Sequence, residues 1–514
     1  MTVRSPDETT WRISLADEAG TDELANSLAA WVGADDLVTL SGDLGSGKTT
    51  LARALIRRIA NASDLEVPSP TFTLMQVYSG PSFPIVHADL YRVMRAAELA
   101  ELGWEEAAEG ALVLVEWAER AQSALAPDRL DVSLDLDPSR GEDARVATLT
   151  GHGAMAPRLA RAKAVHDLLA QSGFDKAHRA FMVGDASTRA YERLTNPDGR
   201  TALLMISPPR PDGPPIRFGK AYSALARLAE DVRPFLAVSV ALRAKGISAP
   251  EVFACDASAG LAVLEDFGDR GFLEEGEPSA ERYGEAAALL ARLHRSPKPE
   301  TLPLGESETY SIPPYDAEAL SIEVELLLDW YAPHLARAAI PSGARATFGN
   351  LWRRAFEIVL AGATTWTLRD YHSPNLIWLG EREGLARVGV LDFQDCVLGH
   401  PAYDVVSLLQ DARVTISDQM ELRLLSLYAQ LRRQSDPGFD AASFARAYAI
   451  LGAQRATKIL GIFARLDKRD HKPHYLQHLP RIERYLVKDL NHPAMSEIRA
   501  WYETYLPHAL GATP

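Results

Sequence analysis

Residues 42–49 read Gly-Asp-Leu-Gly-Ser-Gly-Lys-Thr, a complete G-x-x-x-x-G-K-S/T pattern, set between the apolar run Leu37 to Leu40 and the helix-periodic stretch Thr50 to Ile59. No other feature constrains the fold as tightly, because the pattern grips phosphate only where a strand hands the chain over to a helix. Glycines let the backbone N–H groups wrap the phosphates, and the helix start adds its positive dipole end. Gly42, Asp43, Gly45, Ser46, Gly47, Lys48, Thr49 and Thr50 are therefore the expected ATP contacts. Lys48 is the catalytic cation, and the Thr49 hydroxyl is a ligand for Mg²⁺.

The surrounding sequence fits that demand. Strand-like runs at Leu37 to Leu40, Ile85 to Ala88 and Leu112 to Val115 alternate with helical patterns, as in an α/β sheet with crossover helices. Asp89 ends one of these strands and is the second expected magnesium residue, although a strand-end Asp can also cap a helix. Glu116 ends another, at the sheet edge where α/β ligand sites lie. The breaker-rich segment Gly151, His152, Gly153 and Pro157 places a boundary near residue 155, with the helical stretch Leu159 to Leu169 opening a new domain. At 514 residues, against roughly 100–200 per domain, the chain needs at least two cores.

A second phosphate site is written farther on. Asp370-Tyr371-His372-Ser373-Pro374-Asn375 supplies D-x-x-x-x-N, and the apolar run Val388 to Leu391 ends in Asp392-Phe393. In kinase chemistry the Asp of the first element meets the proton of the acceptor hydroxyl, its Asn holds metal, and the strand-end Asp ligates the metal bridging the phosphates. Asp370 is thus the expected base, and Asn375 and Asp392 the metal ligands. Gly184, Ser187, Thr188 and Arg189 lie in a turn between strand-like segments where a loop over the ATP phosphates belongs. Leu261 to Gly268, with Glu265, reads as the connector facing adenine. Residues about 180–268 suggest a small β-rich lobe. From 269 to 514 a large helical lobe is expected, with amphipathic runs at Ser279 to Leu293, Ala317 to Tyr331 and Ala441 to Leu466.

Two resemblances follow. Gly42 to Thr50, Ser69-Pro70-Thr71-Phe72-Thr73, His87-Ala88-Asp89-Leu90-Tyr91-Arg92 and Glu116-Trp117 resemble, in order, the TsaE family, ATPase subunits of the bacterial machinery that makes threonylcarbamoyladenosine in tRNA. The resemblance implies that Thr71 belongs to a nucleotide-sensing switch, that Asp89 serves magnesium, and that Glu116 and Trp117 lie on the functional face. It also implies protein partners, the subunits of the tRNA threonylcarbamoyl-transfer complex, with tRNA contacted at most indirectly. From about residue 156, Gly184 to Ser187, Leu204-Met205, Pro208-Pro209, Leu264-Glu265-Asp266, Arg369 to His372, Leu391 to Asp395 and Tyr403-Asp404 resemble the aminoglycoside-phosphotransferase superfamily, and within it the AmgK family of amino-sugar kinases. That implies transfer of the ATP γ-phosphate to the anomeric hydroxyl of N-acetylmuramate or N-acetylglucosamine, with Asp404 anchoring the catalytic loop. Another small-molecule acceptor (an aminoglycoside, choline or homoserine) and a ligand-binding pseudokinase are the alternatives.

The expected architecture is an α/β P-loop NTPase domain over residues 1–155, then a bilobal protein-kinase-like domain over 156–514. Two departures from the kinase pattern stand out. Leu203 to Ile206 lacks the strand lysine that pairs with the α/β-phosphates, and Leu368 stands where H-x-D kinases carry histidine. Arg189 and Lys220 are the cations placed to compensate. A net charge of −15 argues against coating nucleic acid or an anionic membrane. Two cysteines, Cys255 and Cys396, are too few for a disulfide framework. With no stretch approaching the ~18 apolar residues of a membrane span, the expected location is the cytoplasm.

Overall fold

The computed structural model describes residues 8–93, 103–120, 125–182, 189–209, 213–305 and 307–511. Chain contacts divide it into two units, Met1–Ala170 and Gln171–Pro514.

In the first unit, β1 (Glu8–Leu15), α1 (Glu18–Ala29), β2 (Leu37–Ser41), α2 (Lys48–Ala60), β3 (Met75–Ser79), β4 (Pro84–Asp89), α3 (Trp104–Ala108), β5 (Leu112–Glu116), β6 (Arg129–Leu136), β7 (Arg145–His152) and α4 (Met155–Ser172) follow in order. The strands form one seven-stranded sheet in the order β1-β7-β6-β2-β5-β4-β3. β2 runs parallel to β5 and β6, and β5 parallel to β4. β5, between β2 and β4, is buried on both faces, which is why it reads as an unbroken apolar run rather than an alternating one. Because the parallel register pairs Leu40 and Asp89 with Glu116, the carboxyl ends of three strands meet at one edge.

The boundary differs from the expected one. α4 does not open the second domain: Met155 and Leu159 are buried in the core with Leu24, Leu28 and Leu149, and Arg158 pairs with Asp36 at 2.6 Å. The division therefore falls after Ala170 rather than near residue 155. A helical stripe records that a helix packs, not which core it packs on.

The second unit opens on a five-stranded antiparallel sheet, order β11-β12-β10-β9-β8, built from β8 (His178–Met182), β9 (Ala190–Thr195), β10 (Thr201–Ile206), β11 (Val252–Asp256) and β12 (Leu261–Glu265). Between β10 and β11 lies α5 (Arg233–Ala244). The helical part carries α6 (Ala280–Leu293), α7 (Ala317–Leu326), α8 (Ser342–Leu360), α9 (Ala402–Leu409), α10 (Asp418–Ser435), α11 (Ala441–Lys468), α12 (Leu479–Leu490) and α13 (Ser496–Tyr505). Short strands β13 (Thr365–Thr367), β14 (Leu376–Trp378), β15 (Val388–Val390) and β16 (Val397–Gly399) pair as β13 with β16 and β14 with β15. The β14–β15 pair holds the segment after Asn375 beside the segment before Asp392.

α11 is the spine of this unit. It was expected to be amphipathic, yet from Ala447 to Gly461 every residue is buried, including Gln454, Arg455, Thr457 and Lys458. Buried charges of that kind persist only when paired, and their partners lie in the catalytic region. No helix among the described residues is long and apolar enough to cross a membrane.

Candidate active sites

In the first unit the phosphate loop begins where β2 ends. Gly42 sits at φ 131, and a Cβ there would lie 2.3 Å from the Leu134 carbonyl oxygen, so only glycine fits. Gly47, at φ 105, caps α2 without any side-chain hydrogen bond, which leaves the first amides of the helix to a ligand. Ser46 Oγ is buried with no hydrogen-bond partner among the described residues. Lys48 Nζ donates to the carbonyl oxygens of Gly42 (2.7 Å) and Asp43 (2.9 Å) and lies 4.0 Å from the centre of the Trp117 ring. Burial lowers the Lys48 pKa, against the pull of Glu116, Glu119, Asp89 and Asp43. An orphaned hydroxyl, open amides and a desolvated ammonium together fit a polyphosphate.

The acidic side of the site is equally connected. Thr49 Oγ1 donates to Glu116 Oε2 at 2.9 Å, and the other oxygen of Glu116 meets His87 Nε2 at 2.9 Å, both partners being buried. Asp89 Oδ2 accepts from Ser69 Oγ (2.7 Å) and Thr71 Oγ1 (2.9 Å), while Oδ1 accepts from the Tyr91 N–H (3.0 Å). Thr71 is thereby tied to the strand-end carboxylate, a coupling that a nucleotide-sensing segment requires. Asp43 is exposed and contributes its carbonyl, and Thr50 lies in the first turn of α2. Trp117 takes φ 59, unfavourable for a bulky residue, and this turns its ring over Lys48. Sequence reasoning quoted His87 without giving it a role; a histidine inside a buried strand, with an acid ending the neighbouring strand, was the available signal.

In the second unit the catalytic loop is held from beneath. Asp404, fully buried on α9, accepts the backbone N–H groups of Leu368 (2.8 Å) and Arg369 (2.9 Å), as the resemblance implied. Asp411 accepts the Ser373 N–H at 3.0 Å. These bonds hold Arg369 at φ 68 and leave Asp370 at the loop's open side, with its side chain one-third exposed. Asn375 joins Asp392 to the backbone of Asp370. Asn375 Nδ2 donates to the Asp370 carbonyl (3.0 Å) and to Asp392 Oδ2 (3.3 Å). Its amide oxygen, with the Asp392 carboxylate, is the oxygen set that a hard divalent cation takes. Asp392, at φ 56, also accepts from Gln394 Nε2 (2.9 Å) and from Arg189 NH1 (2.8 Å) on Oδ1.

Arg189 thus reaches the Asp392 carboxylate from just before β9. Its burial works against the charge, but Asp392 holds the guanidinium protonated. Lys220 sits exposed on a turn. Leu368 is buried. Glu265 spends its N–H on the Glu251 carbonyl (2.8 Å) and its carboxylate on Arg382 and Arg243, so its side chain is a tie between the sheet and the helical part. Gly184, Ser187 and Thr188 lie outside the described residues.

Four residues that shape this site were not anticipated. Glu323, on α7, pairs with Arg369 and with Lys458 at 3.2 Å, and accepts from Gln454 at 2.8 Å. Arg455, one helical turn before Lys458, lies 3.7 Å from Asp370 Oδ1. Burial would raise the Asp370 pKa, but Arg455, Lys458, His372 and Arg369 overcome it and hold the carboxyl at about 2. The available signal was the polar run Gln454-Arg455-Ala456-Thr457-Lys458 inside an otherwise apolar helix.

Comparison with known proteins agrees with both geometries. The profile of the family described as "Threonylcarbamoyl adenosine biosynthesis protein TsaE" matches residues 15–145, and that of the "Phosphotransferase enzyme family" matches residues 180–444. An N-acetylmuramate/N-acetylglucosamine kinase of Caulobacter vibrioides is 41% identical over 351 residues, 66% of this chain and 95% of that protein. The chain belongs to both families, one in each unit. A TsaE protein of Rickettsia felis is 41% identical to the first unit over 122 residues, 24% of this chain and 71% of that protein. A second N-acetylmuramate/N-acetylglucosamine kinase, from Pseudomonas aeruginosa, is 31% identical over 312 residues, 59% of this chain and 80% of its own. The chain thus joins a TsaE-family ATPase domain to a phosphotransferase-family kinase domain.

Proposed function

We propose that the chain performs two separate magnesium- and ATP-dependent reactions in the cytoplasm. The TsaE unit hydrolyses ATP in support of threonylcarbamoyl modification of tRNA adenosine, acting on the protein subunits that transfer the group and meeting tRNA at most indirectly. The phosphotransferase unit moves the γ-phosphate of ATP to the anomeric hydroxyl of N-acetylmuramate or N-acetylglucosamine, as in the recycling of cell-wall sugars. The observation that carries the second half is that Asn375 Nδ2 bridges the Asp392 carboxylate and the backbone carbonyl of Asp370, which brings the loop of the acceptor-facing Asp beside the strand-end Asp.

Magnesium, when bound, neutralises charge on the phosphates; Asn375 and Asp392 would hold it in the phosphotransferase unit, Thr49 and Asp89 in the TsaE unit. Asp370 receives the acceptor O–H. With Arg455 on one side of it, its main work is to aim the acceptor oxygen at the γ-phosphorus. Arg189 stands in for the absent strand lysine, moving from Asp392 toward the phosphates when the nucleotide arrives. In the TsaE unit Lys48 leaves the loop carbonyls for the phosphates, and Glu116, backed by His87, is freed by Thr49 to orient the attacking water. A unit that ends at Ala170 leaves little room for a macromolecular substrate site, and hydrolysis coupled to a partner's conformation suits such a domain.

The test is chemical. A sugar phosphorylated at C1 loses its reducing end, so incubating the chain with Mg·ATP and either sugar should consume reducing sugar in an amount equal to the ATP consumed above the sugar-free hydrolysis rate. If both sugars stay inert while an aminoglycoside, choline or homoserine is phosphorylated, the sugar assignment fails. For the TsaE unit, hydrolysis should accelerate when the threonylcarbamoyl-transfer subunits are added; an unchanged rate would contradict the assigned partners.

A further inference from the structure

One turn of α11 sits under the catalytic loop. Gln454 and Lys458 grip Glu323, which in turn holds Arg369, and Arg455 reaches the neighbouring residue, Asp370. Arg455 is 5% exposed in its side chain, lies 5.8 Å from the Tyr403 ring centre, and has an Nε without a hydrogen-bond partner among the described residues. Such a cation is costly to bury and is retained only against an opposing charge. The carboxylate it faces is the one the acceptor must meet. His372 Nε2 lies 3.9 Å from the same oxygen, Oδ1, that Arg455 approaches.

We propose that Arg455 is a positioning residue of the kinase reaction: by engaging Oδ1 of Asp370 it fixes the carboxylate rotamer and assigns Oδ2 to the acceptor hydroxyl. This rests on the reading of the unit as a hydroxyl kinase. In the step itself the acceptor oxygen bonds to the γ-phosphorus, the bond from that phosphorus to the bridging oxygen breaks with its electron pair leaving on ADP, and the hydroxyl proton passes to Asp370 Oδ2. A carboxylate free to rotate would present either oxygen, or neither, along that line. Misplacement by about 1 Å costs a positioned reaction on the order of 100-fold. Arg455 touches neither substrate nor nucleotide in this scheme; it acts through Asp370.

The experiment is a double-mutant cycle in the full chain, read as kcat and KM for the sugar and for Mg·ATP. Arg455→Met should lower kcat by about 100-fold and leave both KM values within about threefold. In an Asp370→Asn background the same change should cost less than about threefold, since the group it serves is gone. Arg455→Lys, which keeps the charge and loses the fork, should recover part of the rate. Equal losses in both backgrounds, or a change confined to KM, overturn the proposal. Should Arg455→Met fail to fold, the Arg455→Lys cycle decides in the same way. If the wild-type chain phosphorylates no hydroxyl compound at all, it is the kinase reading that fails, and this is seen before any variant is made.

Discussion

Single side chains carry the chemistry, and their neighbours say how each should fail. Lys48 is buried between its own loop carbonyls and the Trp117 ring, so Lys48→Ala should abolish ATP hydrolysis by the TsaE unit while sugar phosphorylation continues at its usual rate. Asp404 satisfies two buried backbone donors, those of Leu368 and Arg369. Asp404→Ala leaves both orphaned, at about 1–3 kcal/mol each, and should depress the kinase rate together with the unfolding midpoint of the second unit. His400 makes a pH prediction. Its pKa is lowered to about 4, first by burial and then by His294 and Arg432, and Nδ1 accepts the Ala402 N–H at 3.1 Å, which requires an unprotonated nitrogen. The unfolded chain binds that proton near the ordinary histidine value of about 6.5. Between those limits the unfolded state carries more protons, so stability falls as pH falls from about 6.5 to about 4, by up to about 3 kcal/mol from this group. Denaturant midpoints followed by tryptophan fluorescence should show the decline, and His400→Gln should flatten it.

Elements determine how much of this was readable beforehand. The hand-over from β2 to α2 was legible because its requirements are local: glycines where φ is positive, an apolar strand before, a helical stripe after. The meeting of Asn375 with Asp392 was legible for the same reason, since the paired strands between them fix their spacing. α4 was misassigned, because nothing in its stripe tells one core from another, and its Arg158–Asp36 pair joins residues far apart in sequence. α11 reads in sequence as an amphipathic run, which leaves a polar face for solvent; only the fold places Glu323 and Asp370 opposite its Gln454, Arg455 and Lys458. That helix also crosses α7 at close quarters. A Cβ on Gly461 would lie 2.4 Å from the Leu326 carbonyl carbon. Gly461→Ala would gain about 1 kcal/mol of helix propensity, but backbone cannot yield as a side chain does, and overpacking of this kind costs about 1–3 kcal/mol or more. The net expectation is a lower unfolding midpoint and a weaker kinase, with ATP hydrolysis unchanged; a stabilised variant would show that the helices separate freely.

Over the whole molecule, each unit holds its own hydrophobic core and its own phosphate site. One uses strand ends of a mostly parallel sheet and a helix N-terminus; the other uses a loop pinned by a buried aspartate and a hairpin-borne carboxylate. The two sets of residues share no member, so each activity should be separable by a single substitution. Full-length Lys48→Ala and Asp370→Asn variants, each assayed for both ATP hydrolysis and sugar phosphorylation, measure this most directly. The account predicts a crossed result, in which Lys48→Ala loses hydrolysis alone and Asp370→Asn drops phosphorylation alone, to a small residual rate. Loss of both activities in either variant, or of neither, would contradict it.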